Sequence, residues 1–308
     1  MSIVVPVFNN SDSLEILIDE LVDVLSSIGI IGTSEVIFVD DGSHDQSFNK
    51  LLSLGNSQEL AIRVVKLAKN FGQVNAWYAG YYEAKGDCVV TISADLQDPT
   101  SLIASFFAEF EKGFELAIGH RVSRNENWYR RLTSKVAYRV AKYGNPGMPR
   151  GGFDYFLMSD RVKNVLLNEY PKSNFVQGAL ISMGLSFSSI GYERKSRPYG
   201  RSGWTLRKKF RLLLDILFES STTPLRLIYS FGLLIIALGT ALLFYVIYGK
   251  ITNQTPFNGF TLLFGSLLVF NGLIFLFLGV IREYLIIFFN QASSRKRFLI
   301  EKRIGFDD

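Results

Sequence analysis

The sequence predicts an α/β fold with a mainly parallel sheet, followed by an interfacial helix and two membrane-spanning helices. The first observation is that residues 1–120 alternate short β-branched runs with stretches of helical periodicity, which is typical of βαβ units. The second is a pair of long apolar runs without charges in the C-terminal third. The length of 308 residues accommodates one large soluble domain and a short membrane region.

Five strands and four helices are predicted in the first 120 residues. The strands are expected at 2–8, 35–40, 62–67, 88–93 and 115–120. The helices are expected near 12–28, 46–55, 72–84 and 101–112. The first helix is clearly periodic, since its apolar residues at 14, 17, 18, 21, 25 and 28 form one face. In a sheet of this type, ligands bind at the carboxyl ends of the strands.

Polar segments stand at the carboxyl ends of three predicted strands. They are FNN at 8–10, DDG at 40–42 and DLQD at 95–98. The last is the most informative, because an apolar run, CVVTIS, gives way there to clustered carboxylates. Carboxylate and amide oxygens are hard ligands that suit Mg²⁺ or Mn²⁺, and such an ion can hold a substrate diphosphate. The sequence therefore predicts one nucleotide-dependent site at this edge of the sheet.

Several common functional classes lack their motifs in this chain. There is no GxGxxG, no GxxxxGK[ST] and no Ser-His-Asp pattern, which disfavours dinucleotide enzymes, P-loop ATPases and serine hydrolases. The two histidines, His44 and His120, are too few and too far apart to indicate a zinc site. The one cysteine, Cys88, lies in an apolar strand and is interpreted as a buried residue without a catalytic role.

The two apolar runs cover residues 227–248 and 257–281 and are 22 and 25 residues long. Each exceeds the roughly 20 residues that a helix needs to cross the hydrocarbon core. The net charge is +5, and nine Lys and Arg between 194 and 226 adjoin the first run. This position favours an anionic membrane over nucleic acid as the partner. More Lys and Arg follow the second run, so the positive-inside rule places both flanks in the cytoplasm.

These observations divide the chain into five segments. Residues 1–204 are expected to form the cytoplasmic domain, 205–222 an amphipathic interfacial helix, 227–248 and 257–281 the spanning helices, and 282–308 a basic cytoplasmic tail. A soluble amphipathic core helix is the alternative for 205–219. The N-terminus shows no signal peptide, so the expected location is the inner (cytoplasmic) membrane with the large domain facing the cytoplasm.

Four segments of the chain resemble the family-2 inverting glycosyltransferases, which have the GT-A fold. The segments are VVPVFNN (4–10), VDDGSHD (39–45), KNFGQVNA (69–76) and ADLQDP (94–99). The resemblance covers residues 1–220. With the two apolar runs, the whole chain is similar to the polyprenyl-phosphate glycosyltransferases, which include the dolichyl-phosphate mannose synthases and the bactoprenyl glucosyltransferases. It implies that residues 1–204 are a GT-A catalytic domain.

The resemblance implies transfer of a sugar, with inversion, from a nucleotide-sugar to a polyprenyl phosphate such as undecaprenyl phosphate. A UDP-sugar is favoured as the donor, and the sugar itself is not identified. The product is a lipid-linked monosaccharide for glycosylation of the cell envelope. A separate flippase would then be expected to move this lipid across the membrane. A homo-oligomer is open, since Gly232 and Gly239 in the first run would allow close helix packing.

On the donor side, the resemblance assigns six residues to the nucleotide, one of which, Asp95, would act through the metal on the donor diphosphate. Pro6, Phe8 and Asp40 would line the nucleoside pocket, and Asp40 would take the base. Asp41 and Lys69 would lie nearby. The alternative without a binding role is that Asp40, Asp41 and Gly42 form an ordinary β-turn.

The resemblance also assigns the metal ligands. Asp95 and Gln97 would bind the Mg²⁺ or Mn²⁺ that bridges the donor diphosphate. Asp98 would support this turn, and two roles stay open for it, a ligand or a helix N-cap before Pro99. The chain departs from the family at Ser93, where many members have a further Asp, and at Asn10, where many have Glu.

On the acceptor side, residues 117–139 resemble the family's acceptor segment. Four residues are candidates to hold the lipid phosphate, namely Arg121, Arg124, Arg131 and Ser134. Arginine suits this task because its forked donors match phosphate oxygens. The segment GGFDYFLMS (151–159) places Asp154 at the family's acidic position, although Phe156 replaces a frequent Arg.

The implied catalytic residues are Asp154, Asp95 and Arg121. A lipid phosphate oxygen would attack the anomeric carbon while the nucleoside diphosphate leaves. A phosphate monoester is largely ionised at neutral pH because its second pKa is about 6. Asp154 is therefore assigned to positioning or modest base assistance.

Two other functions compete with this interpretation. A processive polysaccharide synthase shares the GT-A core, but it would be expected to have more spanning helices and a QxxRW motif. The only nearby glutamine, Gln177, lies in VQGAL. A non-catalytic nucleotide-sugar-binding membrane adaptor is the second alternative, because a fold does not determine a function.

Overall fold

The computed structural model describes most of the predicted large domain and a short C-terminal segment. The described residues are 1–54, 60–122, 149, 153–170, 173, 175–195 and 298–306, with single or paired positions between 248 and 288. The predicted interfacial helix (205–222) lies outside the described residues. The apolar runs 227–248 and 257–281 also lie outside them, except for those scattered positions. Within the described part of the chain, no helix has both the length and the apolar character that crossing a membrane requires.

Within the described ranges, eight strands form one sheet. They are β1 (Ser2–Val7), β2 (Glu35–Asp40), β3 (Ala61–Leu67), β4 (Cys88–Thr91), β5 (Leu116–Arg121), β6 (Tyr155–Ser159), β7 (Ser188–Tyr192) and β8 (Ile300–Ile304). Their order across the sheet is β7-β5-β6-β4-β1-β2-β3-β8. Only β6 and β8 pair antiparallel with their neighbours, so the predicted mainly parallel sheet is confirmed.

Six α-helices in the described ranges cover the two faces of the sheet. They are α1 (Leu14–Ser27), α2 (Ser47–Leu54), α3 (Gln73–Glu83), α4 (Leu102–Glu111), α5 (Asp160–Glu169) and α6 (Val176–Ser182). α1, α2 and α4 pack on one face, and α3, α5 and α6 on the other. The central strands β1 and β2 are buried along their whole length, as expected for strands covered on both faces.

The five predicted strands and four predicted helices all occur, with ends that differ by one or two residues from those expected. β8 was not predicted, because residues 282–308 were interpreted only as a basic tail. It pairs with β3, and Phe298, two residues before it, is buried in the core. The segment that follows the apolar runs therefore closes one edge of the sheet.

The carboxyl ends of β1, β2, β4 and β5 lie at one edge of the sheet, together with the amino end of β6.

Pro6 lies inside strand β1 although proline has no backbone N–H to donate to a neighbouring strand. Val4 accepts a hydrogen bond from the next strand through Ile92 N, and Pro6 faces the same side two residues later. The register with β4 ends at Val4, so the missing N–H of Pro6 leaves no ladder bond unmade.

Candidate active site

Two loops at this edge are tied together beside Phe8. Asn9 N donates to Ser43 Oγ at 3.0 Å, and His44 N donates to Asn9 Oδ1 at 2.9 Å. Phe8 is 40% exposed, and its ring stands edge-on to the His44 ring at 6.3 Å between centroids. An exposed aromatic ring on a fixed loop offers a flat surface to a planar ligand.

Asp40 is the last residue of β2 and is fully buried. Its Oδ1 accepts from Ser43 N at 3.3 Å. Its Oδ2 is buried and has no hydrogen-bond partner among the described residues. Burial raises the pKa of Asp40, although the contacts with Ser43 and the charge of Lys66 work against that rise. A buried carboxylate oxygen without a donor is costly, and a ligand N–H would satisfy it.

Asp41 fixes the neighbouring loop that carries Lys69. Its two carboxylate oxygens accept from Phe71 N at 2.7 Å and from Gly72 N at 2.9 Å. Lys69 itself is exposed, with its Nζ 5.3 Å from the Phe71 ring centroid. Gly42 makes this close approach sterically allowed, because a Cβ there would lie 2.6 Å from the carbonyl carbon of Lys69. The site therefore needs glycine at position 42.

Asp95 lies on the turn after β4 and is 7% exposed. Its Oδ1 accepts from Ser93 Oγ at 2.6 Å and from Gln97 N at 3.2 Å. The Gln97 side chain donates through Nε2 to Lys195 O at 3.1 Å, which leaves its amide oxygen as a potential ligand. A carboxylate beside an amide oxygen is a donor set that suits Mg²⁺ or Mn²⁺. Among the residues described, no group of three or more His, Cys, Asp and Glu forms a metal site by itself.

Asp98 supports this turn and does not cap a helix. It is 3% exposed, and its Oδ1 accepts from Tyr192 OH at 2.7 Å. Ser93 Oγ lies 3.2 Å from its Oδ2. α4 begins instead after Ser101, so the N-cap alternative for Asp98 is wrong. Burial raises the pKa of Asp98, while the positive charge of Arg194 and the Tyr192 hydrogen bond oppose the rise.

Arg121 and Asp154 form the other half of the site. Arg121 Nη2 lies 2.9 Å from Asp154 Oδ2, and Gln177 Nε2 donates to Asp154 Oδ1 at 2.9 Å. Burial lowers the pKa of Arg121, but Asp154 and Tyr192 outweigh it, so the net direction is upward. Arg121 also interacts electrostatically with Tyr192 and Asp98, and the Tyr192 hydroxyl donates to Asp98 Oδ1 at 2.7 Å. The two halves are thus one connected network.

Three residues of this network were not identified from the sequence as parts of the site: Gln177, Tyr192 and Arg194. Each comes from an element far along the chain from the carboxylate it contacts, and none lies in one of the four recognised segments. In the sequence, Gln177 stands in VQGAL, which does not match the QxxRW motif. Three predicted phosphate ligands, Arg124, Arg131 and Ser134, lie outside the described residues.

The sequence profile of one enzyme family, Glycosyl transferase family 2, matches residues 2–164. This range includes the strand ends at Asp40 and Asp95 and the acidic position at Asp154. The chain belongs to this family. It is therefore a glycosyltransferase, and the resemblance drawn from its four segments is confirmed.

Relatives match the chain over almost its whole length. An uncharacterized glycosyltransferase from Synechocystis sp. is 31% identical, across 100% of this chain and 96% of the relative. The undecaprenyl-phosphate 4-deoxy-4-formamido-L-arabinose transferase of Proteus mirabilis is 29% identical, across 99% and 94%. The counterpart from Enterobacter sp. is 28% identical, across 99% and 94%. The similarity thus extends beyond residues 2–164 into the C-terminal third.

A solved structure shares the fold. It is the glucosyl-3-phosphoglycerate synthase of Mycobacterium tuberculosis, in complex with Mn²⁺, UDP-glucose and phosphoglyceric acid. The TM-score is 0.50 at 18% sequence identity, and the match covers 71% of this chain and 78% of that one. The likeness supports the GT-A fold and nothing finer.

Proposed function

We propose that this glycosyltransferase transfers a sugar, with inversion, from a UDP-sugar to a polyprenyl phosphate such as undecaprenyl phosphate. The product would be a lipid-linked monosaccharide for cell-envelope glycosylation. Full-length similarity to undecaprenyl-phosphate sugar transferases supports this class of acceptor. The observation that carries the proposal is the single network that joins Asp95 and Asp98 to Arg121 and Asp154. Asp95, on the proposed donor side, and Arg121 with Asp154, on the proposed acceptor side, thus belong to the same network.

The donor end is argued from Asp40 and Phe8. A uracil ring has an imide N–H that can satisfy the buried Asp40 Oδ2, while its face can rest on the exposed Phe8 ring. Pro6 would contribute to the floor of this pocket, because its register partner Val39 directly precedes Asp40. Lys69 would stand at the rim.

The metal end is argued from Asp95 and Gln97, which would hold Mg²⁺ or Mn²⁺. When bound, the ion supplies positive charge that stabilises the leaving diphosphate. The hydroxyl of Ser93 donates to Asp95 and so fixes the orientation of its carboxylate. The mycobacterial synthase with the same fold was solved with Mn²⁺ and UDP-glucose, so these two ligands are the first to test.

The acceptor end is argued from Arg121 and Asp154. Arg121 would hold the lipid phosphate with help from Arg124, Arg131 and Ser134, since several donors are needed to bring two anions together. Asp154 has one oxygen near Arg121 and the other near Gln177. This double contact suits a positioning group for the phosphate or for Arg121. It is less suited to the sole base of the reaction.

Membrane attachment is argued from the topology of the sheet. Residue 195 follows the carboxyl end of β7, and residue 298 precedes the amino end of β8. Both ends lie on the same edge as the active site, on opposite sides of the sheet. A chain that leaves and returns at this edge would direct the site toward the bilayer. We therefore propose two spanning helices at 227–248 and 257–281, an interfacial helix at 205–222 and a catalytic domain in the cytoplasm.

The test is sugar transfer into organic-extractable lipid by the purified full-length protein. Labelled UDP- and GDP-sugars would be supplied with undecaprenyl phosphate and Mg²⁺ or Mn²⁺. The proposal expects label in the lipid phase that depends on the metal and is lost in Asp95→Ala. Label in a long water-soluble polymer would favour a processive synthase. Donor binding without transfer from any donor would contradict the proposed reaction.

A further inference from the structure

Arg194 lies against the carboxylates of the candidate metal site. Its Nε is 3.2 Å from Asp98 Oδ1, and its Nη2 is 3.9 Å from Asp95 Oδ2. The side chain of Arg194 is 25% exposed, whereas those of Asp98 and Asp95 are 2% and 8% exposed. A positive charge of the protein itself thus stands beside the oxygens assigned to the divalent cation.

The backbone around Arg194 is fixed to the same turn. Lys195 N donates to Gln97 O at 3.0 Å, and Gln97 Nε2 donates to Lys195 O at 3.1 Å. The side chain of Gln97 therefore touches the metal site and the segment 193–195 at once. That segment leads directly into the basic stretch 197–226, which precedes the first apolar run.

The contact of Arg194 is an ion pair of imperfect geometry. Although Nε is within 3.2 Å of Asp98, its N–H finds no hydrogen-bond acceptor among the described residues. If the guanidinium moved away, Asp98 would keep the Tyr192 hydroxyl and Ser93 would remain close to it. Departure of Arg194 therefore leaves no orphaned carboxylate at position 98.

A divalent cation and Arg194 would compete for the carboxylate oxygens of Asp95 and Asp98. Like charges about 4 Å apart in a half-buried site disfavour one another strongly. Coordination by Asp95 would also use the oxygens that now face the guanidinium. Both positive groups can approach Asp95 only if Arg194 turns away.

We propose that Arg194 is the resident counter-ion of the Asp95–Asp98 pair and that the divalent cation displaces it. Because the two bind competitively, cation binding and the position of segment 193–195 are coupled. Binding of the donor with its metal would thus alter the start of the basic stretch that leads to the membrane segment. This inference depends on the metal site in the proposed function.

The test is a titration of Mn²⁺ alone into the purified full-length protein at pH 8, followed by electron paramagnetic resonance of free Mn²⁺. Arg194→Gln removes the charge and should bind Mn²⁺ about tenfold more tightly than the wild type. Arg194→Lys keeps the charge and should remain close to the wild type. The matched control is Arg161→Gln, whose ion pair with Glu115 lies away from the site. It should leave Mn²⁺ affinity unchanged.

Unchanged or weaker Mn²⁺ binding in folded Arg194→Gln would overturn the displacement. Asp95→Ala separates this result from a failure of the metal site itself. If Asp95→Ala binds Mn²⁺ as well as the wild type, the ion binds elsewhere. Both the assignment of Asp95 as a metal ligand and the role of Arg194 are then refuted. If Asp95→Ala abolishes binding while Arg194→Gln has no effect, only the role of Arg194 is refuted. Thermal unfolding of each variant would verify that it is folded.

Discussion

The four acidic side chains of the site differ because their surroundings differ. Asp40 is fully buried with one oxygen unpartnered among the described residues. Asp95 sits on a turn with its Oδ1 fixed by Ser93. Asp98 is held by the Tyr192 hydroxyl. Asp154 lies between two donors and is half exposed. The same chemical group is therefore available for base recognition, metal binding, support and positioning.

Asp40→Asn should change the pH dependence of stability. Burial raises the pKa of Asp40 above its ordinary value of 3.8, so the folded state holds the proton more tightly than the unfolded state. The contribution of Asp40 to the free energy of unfolding is therefore greatest below pH 3.8 and falls as pH rises through its raised value. Chemical unfolding of both proteins across the acid range should show the wild type losing stability relative to Asp40→Asn as pH rises.

The same substitution should weaken UDP binding about tenfold, because a hydrogen bond to a charged acceptor becomes one to a neutral amide. Isothermal titration with UDP and Mg²⁺ would measure it. A pH-independent difference in stability, together with unchanged UDP affinity, would refute the role given to Asp40.

Asp154→Asn should lower kcat much less than Asp95→Asn. The asparagine keeps an oxygen for Arg121 and roughly the same shape, and the phosphate nucleophile needs no strong base at neutral pH. Initial rates of lipid glycosylation would compare the two variants at saturating donor. Equal losses in both would show that Asp154 is an essential base and that positioning is the wrong assignment.

At the scale of elements, two loops form one end of the site, and the strand β8 forms one edge of the sheet. The Asp41–Gly42 turn packs against the loop at 69–72, and Asp41 holds that loop by two backbone N–H groups. Phe298, two residues before β8, lies against the Tyr82 ring, with 6.1 Å between centroids. The first contact fixes the loop at 69–72 beside Asp41, and the second packs the chain that leads into β8 against α3.

Gly42→Ala should reduce both stability and UDP affinity. Gly42 has φ +66°, and an added Cβ would meet the backbone at Lys69 and Asn70. Gly29→Ala is the matched control, because Gly29 has φ +71° but open space around it. Both variants should lose about 1–2 kcal/mol from the left-handed backbone. Only Gly42→Ala should also weaken UDP binding by calorimetry, and equal UDP affinities would contradict the packing argument.

Phe298→Ala should lower stability by about 3 kcal/mol, because it leaves a cavity in the core beside α3. The neighbouring Leu299 is 65% exposed, so Leu299→Ala should change stability by no more than about 0.5 kcal/mol. Thermal unfolding of both variants measures the difference. Similar melting temperatures would mean that β8 is not part of the folded domain.

The sequence predicted those features that depend on local pattern. Alternation of apolar runs located β1 to β5 and α1 to α4, and convergence of parallel strand ends placed Asp40 and Asp95 at one edge. The sequence did not predict β8, because its charged residues, in EKRI, lack the pattern of a buried strand. The sequence did not identify Gln177, Tyr192 and Arg194 as parts of the site, because their contacts with Asp154 and Asp98 depend on tertiary packing and not on sequence spacing.

At the scale of the whole molecule, the order of strands brings the donor end, the acceptor end and both connections to the apolar runs to one edge. The residues proposed for the nucleoside lie in or directly after β1 and β2, those proposed for the metal follow β4, and Arg121 and Asp154 lie at the end of β5 and directly before β6. β7 and β8 are the outer strands of the sheet, and residues 196–297 lie between them in the sequence. This arrangement accounts for how an enzyme with a water-soluble donor could reach the phosphate of a membrane lipid.

The most direct test of the account is nuclear magnetic resonance of the lipid product formed by the full-length enzyme. Coupling between the lipid phosphorus and the anomeric proton should show the sugar attached to the phosphate, with its anomeric configuration inverted relative to the donor. A retained configuration would contradict the single displacement at this site. A product without the sugar–phosphate linkage would contradict the polyprenyl-phosphate acceptor.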